Sequence, residues 1–140
     1  MFSSMIKEDQ EVTLGEAFNH IDQVPTNETS TDAFIGFVNE KEEVIQFLRY
    51  TDNAWLLDIP VQDSHTRKWN HELVQLEGIS TAIVKRVIEV FFVDLDFVNK
   101  ILTKYRINSP KKVENGVSYF LIDPTFIKWV EQHRSDEMYL

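Results

Sequence analysis

The chain has no cysteine, and only four glycines and four prolines in its 140 residues. The first absence excludes a disulfide framework and a thiolate zinc site, and it fits a reducing compartment. The scarcity of glycine and proline, beside an apolar share of 43%, argues against fibrous and disordered classes. No apolar run approaches the roughly 20 residues that a membrane-spanning helix needs. The opening MFSSMIKEDQE lacks the basic start and apolar centre of a secretory signal. Several catalytic signatures are missing too. There is no GxSxG elbow, no glycine-rich phosphate loop and no dinucleotide fingerprint, and after His71-Glu72 position 75 is glutamine, so HExxH fails. These gaps predict a soluble, cytoplasmic protein with no membrane segment, no cofactor and no enzymatic role.

Positive charge is also scarce, but only in one part. Residues 1–80 hold 5 Lys/Arg against 15 Asp/Glu, whereas residues 81–140 hold 9 against 8, so the net charge of −9 belongs to the first part. Such a surface repels nucleic-acid phosphate and attracts basic partners. Simple solubility is the ordinary alternative.

What is present is β-prone sequence. From Ala33 to Val61 the chain reads AFIGFVN, EKE, then EVIQFLRYTDNAWLLDIPV, three such runs separated by short polar breaks, as in an antiparallel meander. In the third run Trp55, Leu57, Ile59 and Val61 alternate with Ala54, Leu56, Asp58 and Pro60, which places four large apolar side chains on one face. Ile35 and Phe37 share a face in the first run, and Ile45 and Phe47 in the second. The opposite side, with Phe34, Val38, Val44, Leu48 and Tyr50, is apolar as well, so the sheet wants cover on both faces or a partner. Asp58 interrupts the third run. It is either a solvated edge residue or, if buried, a carboxylate that needs a donor such as Arg49 or takes a raised pKa.

Helices flank the meander. Thr13 and Glu16 form a capping box ahead of Leu14, Ala17, Phe18 and Ile21, so residues 14–23 are expected to be an amphipathic helix ended by Val24-Pro25. Ser80 is a good cap for a second helix with Ile83, Val84, Val87, Ile88, Phe91 and Phe92 on its apolar face. Asp94 or Asp96 opens a third, with Leu95, Val98, Ile101, Leu102 and Tyr105 buried. KKVENGVSYFLID reads as a hairpin turned by Asn115-Gly116, and Asp123-Pro124 starts a last helix packed through Phe126, Ile127 and Val130. The expected fold is a single α+β domain over residues 1–140, an antiparallel meander packed against helices with a C-terminal helix–helix–hairpin–helix segment. Residues 1–11 and 134–140 are expected to be frayed.

The polar stretch QDSHTRKWNHE (62–72) is expected to be a long loop, with Glu72–Leu76 a candidate fourth strand. Asp63, His65, His71 and Glu72 are residue types that bind zinc or nickel, but nothing in the segment fixes them rigidly, and no metal is expected. The cations Lys100, Lys104, Arg106, Lys111 and Lys112, with Asn99 to read a base, suggest a winged-helix alternative in which the hairpin is the wing.

Residues 33–93, through FIGFVN, VIQFLRY and WLLDIP followed by the helix STAIVKRVIEVFF, resemble small immunity proteins of bacterial polymorphic-toxin systems. The resemblance implies a strand meander followed by a late helix, and a cytoplasmic stoichiometric inhibitor whose acidic patch meets a basic toxin. The expectation is therefore a non-enzymatic interaction module that binds another, basic protein through Glu40, Glu42 and Glu43 at the meander's first turn with Asp63 and Trp69 from the long loop. A nucleic-acid regulator using residues 94–122 is the alternative, and a small-molecule pocket between sheet and helices is a further one.

Overall fold

The alternating run at Trp55 forms a strand, and it lies near the middle of the sheet. The structure, a computed structural model, describes residues 2–4, 9–63, 65–66, 68–105 and 111–132. In chain order the elements are β1 (Phe2–Ser4), β2 (Asp9–Glu11), α1 (Leu14–Gln23), β3 (Phe34–Val38), β4 (Val44–Thr51) and β5 (Ala54–Gln62). They continue as β6 (Trp69–Ile79), α2 (Thr81–Val93), α3 (Phe97–Tyr105), β7 (Lys111–Glu114), β8 (Val117–Leu121) and α4 (Thr125–Gln132). Among the described residues the strands form one eight-stranded sheet in the order β2-β1-β3-β4-β5-β6-β8-β7. Every pairing is antiparallel except β6 with β8. A parallel pair needs a crossover, and α2, α3 and β7 supply it. The class is α+β.

Local chemistry accounts for most element ends. The Thr13 side chain accepts the Glu16 N–H at 3.2 Å while Glu16 accepts the Thr13 N–H at 3.0 Å, the reciprocal pair of a capping box. Ser80 accepts the Ile83 N–H at 3.2 Å and starts α2. Asn115 and Gly116 both have positive φ, 53° and 79°, as a type I′ hairpin turn requires. Asp123 accepts the Thr125 N–H at 2.8 Å ahead of α4.

The core lies between the helices and one face of the sheet. Trp55, Leu57 and Ile59 are fully buried and Val61 nearly so, together with Ile35, Phe37, Ile45 and Phe47 from the neighbouring strands. At roughly 1.5–3 kcal/mol each, the four β5 side chains contribute about 6–12 kcal/mol gross. Ala17 and Ile21 of α1, Val84, Val87, Ile88 and Phe91 of α2, Phe97 and Ile101 of α3, and Phe126 and Val130 of α4 join the same cluster. The indole N–H of Trp55 donates to Thr81 Oγ1 at 2.9 Å, which ties the sheet to the first residue of α2. Where α3 meets α4, Phe97 and Trp129 stack at 5.6 Å with 11° between their planes.

Several expectations are corrected. The described parts of residues 1–11 are not frayed: Phe2–Ser4 pairs with β3, and Asp9–Glu11 pairs with it in turn. Residues 134–140 lie outside the described residues. Five residues of the polar stretch 62–72 are strand, Gln62 at the end of β5 and Trp69 to Glu72 at the start of β6, so the connection between the two strands is shorter than expected. Two register shifts explain why β6 shows no clean alternation. Asn70, His71 and Glu72 lie opposite Val61 alone, with His71 at φ 63°, and Glu77 and Gly78 lie opposite Leu56, with Gly78 at φ 73°. Phe92 and Leu95, expected inside, are 37% exposed, while Val90 and Phe97 are buried in their place. The third helix starts at Phe97, so Leu95 belongs to the preceding turn. The Tyr105 side chain lies outside the described residues.

Candidate functional site

A period of two that sends Trp55 and its alternates toward the helices sends the intervening residues the other way. On that other face lie Gln46, Leu48 and Tyr50 of β4, Leu56, Asp58 and Pro60 of β5, Leu73, Gln75 and Glu77 of β6, and Tyr119 and Leu121 of β8. The pairings Gln46 with Asp58, Asp58 with Gln75 and Gln75 with Leu121 set them in one row across four strands. The described helices pack on the opposite face, so among the described residues no helix covers this row. Phe34 and Leu121 are 48% and 41% exposed there. The first register shift in β6 also sets Trp69 opposite Gln62, which returns its indole to this face, 42% exposed.

Two concavities lie on the open face among the described residues. One, about 460 Å³, is lined by Val44, Gln46, Asp58, Pro60, Gln62, Trp69 and Leu73. The other, about 520 Å³, lies toward β7 and β8 among Gln75, Glu77, Lys112, Glu114, Tyr119 and Leu121. Asp58 is half-buried, and burial pushes its carboxyl pKa up despite a 3.1 Å hydrogen bond from Gln75 Nε2 to its Oδ1. Burial also raises Tyr50, with the carboxylates of Glu77 and Asp58 adding to the effect. Asp58 and Glu77 are therefore within electrostatic reach of one phenol. The expected donor, Arg49, is on the wrong face. Its register partner is Trp55, and its guanidinium donates to the carbonyls of Val24 and Asp52, both at 2.8 Å, with the indole 5.0 Å away.

The residues expected to bind a partner are largely brought together, with one exception. Glu40 and Glu42 are exposed in the β3–β4 turn, and Gln62 Nε2 donates to the Glu42 carbonyl at 3.1 Å, linking that turn to the end of β5. Asp63 follows immediately. Its Oδ1 accepts the Thr66 N–H at 2.8 Å and the His65 N–H at 2.9 Å, bonds that hold the carboxyl below its usual pKa. Trp69 stands at the start of β6, its indole N–H donated to the Glu72 carbonyl at 2.9 Å and its ring 4.6 Å from that of His71. Glu43 is different. It is 9% exposed and accepts the Asn39 side-chain amide at 2.9 Å, while Asn39 Oδ1 accepts the N–H groups of Lys41 and Glu43, each at 3.0 Å. Glu43 closes the turn from inside rather than offering a surface charge. Among the described residues no three of His, Cys, Asp and Glu come together as a metal site, Asp63 and His65 included.

The cationic set is divided between layers. Asn99, Lys100 and Lys104 line a depression of about 410 Å³ with Thr103 and Trp129 on the helical side. Lys100 pairs with Asp94 at 2.7 Å, and Lys104 lies 5.6 Å from the Trp129 ring. Lys112 is on the other side of the sheet, paired with Glu114 at 2.9 Å. The hairpin expected as a wing is built into the sheet through β8 and β6. Arg106 and the Lys111 side chain lie outside the described residues.

The polar row was missed as a site, although the sequence carries a signal for it. VIQFL, LLDIP and LVQL each set one polar residue among apolar ones, and register aligns these polar residues.

Fold and surface together define an α+β protein whose sheet, among the described residues, carries helices on one face and leaves the other, partly apolar and partly acidic, uncovered. Compared with family models, with curated proteins and with solved structures, the chain matches none. No described helix is long and apolar enough to cross a membrane.

Proposed function

We propose that this chain is a non-enzymatic protein-interaction module of the cytoplasm, an inhibitor of the immunity-protein kind, whose open sheet face and adjoining acidic end receive a basic partner. The observation that carries this reading is the uncovered face itself. An eight-stranded sheet with exposed Phe34, Trp69 and Leu121 leaves apolar area for a partner to bury. Charge selects the partner's sign. Asp58 and Glu77 lie on the face and Glu40, Glu42 and Asp63 at its end, while Glu114 and Lys112 neutralise each other. A carboxylate-rich rim speeds encounter with a cationic surface and rejects phosphate.

The test is kinetic. Partners captured on the wild-type chain are compared on a Glu42→Lys/Glu77→Lys variant, and association rates are followed as salt is raised. The expected partner is basic, its association slows with salt and slows again on the double reversal, and dissociation changes little. Association indifferent to both salt and charge reversal would overturn the reading.

The nucleic-acid alternative rests on the α3 depression with Lys100, Lys104 and Trp129. Phosphate contacts give steep salt dependence, so a duplex shift assay with no retardation at low salt removes it. The small-molecule alternative is supported by the two concavities, which are of ordinary ligand size.

A further inference from the structure

Asp58 is placed where a carboxylate is least comfortable. It lies mid-strand in β5, half-buried, with apolar Val44, Pro60 and Leu73 lining the same concavity. Among the described residues its one hydrogen-bond donor is the neutral Gln75 amide, and no cation pairs with it. A carboxylate withdrawn from water without a counter-charge is unfavourable, and a fold under no other constraint would place an apolar or amide residue there. Beside it Gln46 has a side-chain amide with no intramolecular hydrogen bond among the described residues, and Trp69 adds a large exposed aromatic surface to the wall.

These features match one side chain in particular. A guanidinium is planar, carries five donors in a fork, is weakly hydrated and stacks on aromatic faces, whereas an ammonium is compact and strongly hydrated. We propose that the 460 Å³ concavity is a receptor for a single arginine side chain displayed by the basic partner, with the guanidinium on the Asp58 carboxylate and the aliphatic stem against Trp69, Pro60 and Leu73. The Gln46 amide carbonyl accepts a further N–H, and the indole offers a cation–π contact. This assignment rests on the interaction reading above, since it names the residue through which that partner is anchored.

The full-length, nitrogen-15-labelled chain is titrated at low salt with N-acetyl-arginine amide, and the side-chain amide signals of Gln46 and Gln75 and the Trp69 indole signal are followed. Saturable shifts confined to these groups are expected, with no comparable response to the neutral isostere N-acetyl-citrulline amide and a weaker one to N-acetyl-lysine amide. Asp58→Asn keeps an acceptor for Gln75, and it should weaken the arginine response at least about tenfold, on the scale of removing one partner of a desolvated charge pair. An equal response to citrulline, shifts centred elsewhere, or an undiminished response in Asp58→Asn overturns the receptor. Equal affinity for the lysine compound overturns the guanidinium assignment. The two readings fail separately. A chain that takes up arginine amide as described, yet associates with its captured partner indifferently to salt and charge reversal, retains the pocket and loses the acidic-interface reading. Charge-dependent association with no arginine response does the reverse.

Discussion

The two faces of β5 share one backbone and one stretch of sequence, yet they are populated on different principles. Toward the helices stand Trp55, Leu57, Ile59 and Val61, at most 2% exposed. Toward the open side stand Leu56, 8% exposed, and then Asp58, Pro60 and Gln62, partly exposed and flanked by Gln46 and Gln75. The first set is explained by packing alone, since each side chain is what a close-packed interior accepts. The second set is not explained by stability, because a half-buried carboxylate with no cation beside it weakens the fold that holds it. Residues retained against local stability are where a binding role is to be sought.

The harshest way to break this comparison is to make matched deletions on its two sides. Trp55→Ala removes a fully buried indole and its hydrogen bond to Thr81, and it is expected to cost about 3–5 kcal/mol. Phe34→Ser, on the open face where the ring is 48% exposed, is expected to cost about 1–2 kcal/mol, well short of that. Urea denaturation of both variants reads the difference as a shift in midpoint at unchanged slope. If Phe34→Ser proves as costly as Trp55→Ala, the face called open is packed and the site drawn on it is wrong.

How much of this was legible follows from how local each signal is. The meander, both capped helices and the hairpin were readable because Thr13/Glu16, Ser80 and Asn115-Gly116 act within a few residues of themselves. Most of β6 was not readable, because two register shifts interrupt its alternation and a bulged strand looks like a polar loop. The parallel pairing of β6 with β8 was invisible for another reason, since it joins segments separated by two helices and a strand. The acidic end was found by counting charge, yet counting could not show that Glu43 faces inward. The spacing of Asn39 and Glu43 held that information, as an asparagine side chain can collect the amides of its own turn. The cations of residues 100–112 run close in sequence, but tertiary structure sets Lys100 and Lys112 on opposite layers.

That inward-facing glutamate gives a second, smaller contrast. Glu42 and Glu43 are adjacent, and one is exposed while the other is 9% exposed and bonded to Asn39. Glu43→Ala leaves the Asn39 amide without its acceptor, and a loss of about 1–3 kcal/mol is expected. Glu42→Lys, whose side chain stands in solvent, is expected to change stability by less than about 0.5 kcal/mol. It should instead slow association with a basic partner. Equal stability losses at the two positions would show that the turn is held by its backbone and not by the Asn39–Glu43 pair.

The smallest expected effect sharpens the comparison most. Burial raises the Asp58 pKa in the folded chain, and the Gln75 hydrogen bond only partly opposes it. In the unfolded chain the carboxyl titrates near about 4. Between that value and the higher folded one, the folded chain keeps a proton that the unfolded chain has released, so stability falls as pH rises through this window. Above the window the cost is present in full, and below it the cost vanishes. Asp58→Asn removes the ionisation while keeping an acceptor for Gln75, so the variant should melt above the wild type at pH 7 by about 1–3 °C. The two melting curves should converge near pH 3, below both values. Differential scanning calorimetry across that range reads the sign directly. A variant less stable than the wild type at pH 7 would mean that the Asp58 carboxylate is already satisfied within the fold, which removes the reason for assigning it a cation from outside. A variant that gains stability while losing its response to arginine amide would place Asp58 among the residues kept for binding at the expense of the fold.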